Sequence, residues 1–210
     1  MRWGSLIIAG LTLHTCGCIS SDARQAHQLN QQGVALLMQK DYQGAKTQFE
    51  QAYRLTPQDP DTLYNLASSA QHLGQNAVAE NYYRQCLAKN PKHARAQHGL
   101  LVLYWSEGKT KEVERMTAQR IQEQAQDPDA LTARAWYLRE TGDLPAAQAM
   151  LHRALEIQPD HSQAMMELGI LYEIYNYPDR SRSLYQQVLR QEPYHAEARE
   201  RLMVLQMRAK

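Results

Sequence analysis

The chain has 210 residues, with 23 Lys and Arg against 22 Asp and Glu, and one Phe beside 12 Tyr and 3 Trp. So little bulky apolar material, with a strongly negative mean hydropathy, argues against one large globular core and for an elongated fold that buries surface between neighbouring units. The net charge of +1, both signs mixed along the chain, argues against the broad basic footprint that a nucleic-acid partner needs.

Arg2 precedes an apolar run from Leu6 to Leu13, and Thr15, Cys16, Gly17 and Cys18 follow, which is the grammar of a secretory signal. The run is well short of the roughly 20 apolar residues that a membrane-spanning helix needs. Gly17 before Cys18 resembles the lipobox of bacterial lipoproteins. That resemblance implies a leader over 1–18, lipidation at Cys18 and a lipid anchor in the cell envelope, facing the periplasm or extracytoplasmic space. Thr15 stands where a lipobox usually carries Leu, whereas Cys16 has Leu13 at that offset but bulky His14 and Thr15 between. An ordinary cleaved signal of a secreted or periplasmic protein is the alternative. Residues 19–25 read as a linker, and Cys86 alone follows the leader, so no disulfide is expected within the mature chain.

Pro57 and Pro91 stand 34 residues apart, as do Pro159 and Pro193. A frame of that period divides the chain into 26–59, 60–93, 94–127, 128–161 and 162–195 without insertion. Its eighth position holds Gly33, Ala67, Leu101, Ala135 and Gly169, and its twentieth Ala45, Ala79, Val113, Ala147 and Ser181. Small groups there let two helices approach closely. The twenty-fourth position answers with Phe49, Tyr83, Thr117, Leu151 and Tyr185, beside Ala52, Cys86, Arg120, Ala154 and Val188 at the twenty-seventh. Turns are expected at Asp41, Gly74, Gly108, Gly142 and Asn176.

This spacing of small, aromatic and proline positions resembles the tetratricopeptide repeat (TPR) over residues 26–195. The fold it implies is all-α: a right-handed α-solenoid of five helix-turn-helix repeats, with residues 196–210 as a capping helix. Repeat three departs from the pattern at Thr117, Arg120 and Ala125. Its second helix should pack loosely, with the Arg120 stem over a neighbour and its guanidinium in water, or else the repeat acts as a hinge.

The resemblance also implies a concave groove lined by the first helix of each unit, at positions two, five, six, nine and twelve. Those positions supply Tyr64, Asn65 and Ser68; Arg95, His98, Val102 and Trp105; Asp129, Thr132, Trp136 and Arg139; and Met166, Ile170 and Glu173. Aromatic, Met and Arg side chains are enriched at the dominant centres of protein interfaces, so Trp105 and Trp136 stand out, with packing between first helices as their structural explanation. The lysine and asparagine clamp that some relatives use for a C-terminal carboxylate is represented only by Asn65. No catalytic constellation, metal set or cofactor motif is recognisable. His93 and His98 read as solvated or hydrogen-bonded, and Cys86 as a compact buried hydrophobe. The function expected is a non-catalytic adaptor or assembly scaffold of the bacterial envelope that holds a protein segment. Alternatives are a type IV pilus biogenesis lipoprotein, similar in its leader and short repeat array, a recruiting subunit of an envelope hydrolase, and a homo-oligomer.

Overall fold

The computed structural model describes residues 21–208, which contain eleven α-helices. The leader and Cys18 lie outside the described residues. The first helix, α1 (Ser21–Met38), takes in residues 21–25, expected as linker. Thereafter the pattern is strict: α3 (Pro60–His72), α5 (Ala94–Ser106), α7 (Pro128–Glu140), α9 (Ser162–Ile174) and α11 (Ala196–Arg208) have 13 residues each. Between them α2 (Tyr42–Leu55), α4 (Asn76–Lys89), α6 (Thr110–Glu123), α8 (Leu144–Ile157) and α10 (Pro178–Gln191) have 14. Each odd helix from α1 to α9 packs on the even helix that follows it, α11 packs on α10, and the pairs stack in chain order as an α-solenoid. None of the described helices is long and apolar enough to cross a membrane.

The helix boundaries follow from capping chemistry. Position thirty-four of every unit is an N-cap, Asp in the first and third units and His in the second, fourth and fifth. The carboxylates of Asp59 and Asp127 accept from Thr62 N and Asp129 N, and the Nδ1 atoms of His93, His161 and His195 accept from Ala96, Ala164 and Ala198 N. Pro60 and Pro128 occupy first-turn positions, where a missing N–H costs nothing. Within each pair the turn residue is left-handed: Gly74, Gly108 and Gly142 at φ 71, 73 and 91°, Asn176 at 60° and Lys40 at 61°. The turn expected at Asp41 therefore falls one residue earlier, and Asp41 instead caps α2 through Gly44 N at 2.8 Å.

Inside the pairs the large-against-small packing is realised. A Cβ on Gly33 would overlap the Phe49 ring, and one on Gly169 the Tyr185 ring. Phe49 and Tyr185 are fully buried. Repeat three inverts the order, with buried Leu101 at the crossing and buried Thr117 opposite, and α5–α6 is the loosest of the five pairs. The Thr117 hydroxyl donates to Val113 O at 3.0 Å and accepts from Arg134 Nη1 at 3.2 Å. Arg120 does not leave its guanidinium in water: Nη2 lies 3.1 Å from Asp127 Oδ2, tying α6 to the cap of α7.

Candidate functional site

Two cavities of about 830 and 840 Å³ adjoin on the concave side, between α1, α3 and the start of α5 on one flank and the segment from Glu192 to Met203 on the other. Tyr64, Asn65 and Arg95, three of the residues expected in the groove, meet there. The Arg95 guanidinium lies 4.8 Å over the Tyr64 ring, and its Nη2 donates to Asp61 Oδ1 at 3.0 Å. The His93 ring packs 5.3 Å from Tyr64 and fixes Asp61 from behind. Because His93 Nδ1 accepts from the backbone, Nε2 carries the proton and donates to Asp61 Oδ1 at 3.2 Å. This bond, helped by Arg95, holds the Asp61 carboxyl below its usual range against the opposing effect of burial. Burial raises the Tyr64 phenol, so the ring is a neutral platform with a cation on its face.

A second cluster lies further along the concave side. Trp136 is edge-on to His98 at 5.5 Å and to Trp105 at 5.9 Å, and Trp105 also meets Tyr137 at 6.2 Å. Beneath them Arg139 directs Nη2 and Nε to Glu167 Oε2 at 3.1 and 3.2 Å, while Nη1 pairs with Glu140 at 2.7 Å. Burial lowers the basicity of His98, whose Nε2 is 3.9 Å from Glu167 Oε1, and the fields of Glu167 and Glu197 oppose that shift.

Only part of the expected lining is therefore open. Trp136, Met166 and Ile170 are 4, 1 and 7% exposed, because the C-terminal half of the concave side is filled: Met166 packs with Ala198 and Leu205 of α11. For Trp136 the packing explanation is the one realised. Asp129 is held by His161 Nε2–H at 2.8 Å, Thr132 donates to Pro128 O, and Glu173 accepts from Tyr185 and Arg201. Arg95 is exposed, and Tyr64, Ser68, His98, Val102, Trp105 and Arg139 are half-buried. Sequence reasoning misses Glu167, although it occupies position six of its unit and so falls within the rule that selects Asn65. His93 is the hydrogen-bonded histidine expected, with an added role as helix cap that its sequence position does not announce. Among the described residues no group of three or more His, Cys, Asp or Glu is placed to hold a metal, and Cys86 is buried with its thiol raised to about 11 by burial. The open part of the site offers the Arg95 cation and the Tyr64 face, with the largely buried Asn65 amide in its wall, a set that suits a peptide segment.

Comparisons with known proteins agree with this repeat fold. Tetratricopeptide-repeat family models match residues 70–137 and 128–171, and a coatomer epsilon subunit model matches 21–101. Cellulose synthase operon protein C of Xanthomonas axonopodis pv. citri (strain 306) is 30% identical over 170 residues, covering 77% of this chain. The chain spans only 11% of that relative's length. A thermophilic TPR protein of Thermus thermophilus superposes with a TM-score of 0.58 at 22% identity, over 87% of this chain and 99% of that one. PilF of Pseudomonas aeruginosa superposes with 0.54 at 14% identity, over 90 and 92%. With two overlapping repeat models on a stack of alternating 13- and 14-residue helices, residues 70–171 are an array of tetratricopeptide repeats.

Proposed function

We propose that the protein is a non-catalytic adaptor of the cell envelope that holds a segment of a protein partner in the N-terminal half of its concave groove. The carrying observation is the cavity that joins Tyr64, Asn65 and Arg95: an aromatic platform, an amide and an exposed guanidinium beside a space large enough for several residues of peptide. The lipobox-like run that ends at Cys18 supports the envelope setting, as does the likeness to a stretch of a cellulose synthase operon protein. The products of such an operon are the first place to look for the partner.

The test is capture of partners by the tagged full-length protein from detergent-solubilised membranes, beside Ser68→Arg/Arg95→Glu. Both positions face the cavity, so the changes fill it and reverse its charge without entering the core. A protein recovered with the parent and lost with the variant supports the groove. If identical sets accompany both, with unchanged circular dichroism, binding lies on another face and the proposal fails.

A further inference from the structure

The two ends of the stack meet. Lys40 Nζ, at the turn between α1 and α2, lies 3.1 Å from Glu200 Oε1 on α11, across 160 residues of sequence. The two cavities lie behind this contact, with Tyr194, Glu197 and Met203 facing Tyr64, Asn65 and His72. The field of Glu197 reaches both Tyr64 and His98, so α11 roofs the groove as well as ending the stack.

Lys40 also stands where its backbone does not favour it. At φ 61° it occupies the left-handed turn position that the next three units fill with Gly74, Gly108 and Gly142 and the last with Asn176. An L side chain with a Cβ is disfavoured in that region, so lysine there lowers stability relative to glycine. What it adds is an ammonium group at the rim, and that group meets Glu200.

We propose that Lys40 and Glu200 form a latch that closes the helical stack into a ring across the groove and separates to admit a partner. Both side chains are exposed, 67 and 57%, so the pair is weak and salt-screened, and it biases the ring toward closure without locking it. Admission of a partner rests on the adaptor reading above; closure of the ring does not.

A water-soluble carbodiimide joins a lysine amine to a carboxylate that touches it, and mass spectrometry of the digested full-length protein locates the bond. The expected result is a Lys40–Glu200 linkage at ~10 mM salt, falling several-fold by ~1 M as the screening length shrinks about tenfold. Lys109–Glu107, at 2.8 Å and two residues apart, serves as the reference that the chain itself holds together. Lys40→Gly should melt higher yet give no linkage at this site, and the charge swap Lys40→Glu/Glu200→Lys should restore one. A reference linkage without the Lys40–Glu200 one at low salt overturns the latch. So does a yield indifferent to salt, which would mean closure by packing, or a linkage between isotopically distinct chains, which would mean a second copy. If the linkage behaves as expected but Lys40→Gly recovers no more partner than the parent, the gating role is wrong. Because the linkage needs no partner, its failure leaves the adaptor proposal standing, and failure of the capture experiment leaves the ring intact.

Discussion

His161 shows how much one side chain contributes at the residue scale. Its Nδ1 ends the backbone of α9 and its Nε2–H reaches Asp129 at the start of α7, so one ring both caps a helix and ties two units together. Replacement by Ala should cost about 2–4 kcal/mol, the usual cost of a lost N-cap plus a lost bond to a charged acceptor. His161→Asn should recover the cap alone, and urea unfolding separates the two. The equivalent His93–Asp61 pair adds a pH dependence. Asp61 titrates below its ordinary value of 3.8 when folded, so it binds more protons in the unfolded chain. Its contribution is present above 3.8 and is lost as pH falls through the lower, folded value. Asp61→Asn should therefore flatten the fall of the urea midpoint as pH drops below 3.8, and an unchanged slope would remove Asp61 from the acid response. These caps are hard to read from sequence because histidine is an uncommon N-cap and carries no turn signal, whereas the prolines and glycines around it do. Lys40 escapes for a similar reason: a lysine in a left-handed turn looks like helix surface, and neighbouring Asp41, a common turn former, draws the assignment.

At the scale of the element, the length and order of the helices are legible because the small and large positions recur every 34 residues with no insertion. The burial of individual groove residues is not. Trp136 and Ile170 hold the same position in consecutive units, and whether that position is open depends on how closely the next first helix approaches, which no single repeat encodes. Repeat three makes the strongest prediction. Elsewhere a small residue at the crossing faces a large one, but Leu101 faces Thr117, which keeps the volume and moves it to the wrong side of the interface. Leu101→Ala alone should cost about 2–4 kcal/mol by leaving a cavity. Thr117→Leu alone should cost about 1–3 kcal/mol by overfilling the site and stranding Arg134. Together they restore the order of the other units, so the double variant should be less destabilised than the sum by about 1 kcal/mol or more. Additive costs in a urea-measured double-mutant cycle would show that the two side chains do not share one space.

For the whole molecule, the question is whether a chain whose ends touch unfolds as one body or as a row. The core is divided along the stack into a cluster around Phe49 and Leu66, one around Tyr83 and Leu103, one around Leu151 and Leu171, and one around Tyr185 and Leu205. The ion pair that links the ends is exposed on both sides and screened by salt, so it is too weak to make distant clusters melt together. Gly169→Ala tests this, since its added methyl would overlap the fully buried Tyr185 ring, which must shift within the core to make room. A cost of about 2 kcal/mol or more is expected, confined to the C-terminal units. Native-state hydrogen exchange should then show protection lost over α9, α10 and α11 while α1 to α4 exchange as in the parent. If protection falls equally at both ends, the ring carries cooperativity around the whole stack, and the Lys40–Glu200 contact is far stronger than its exposure allows.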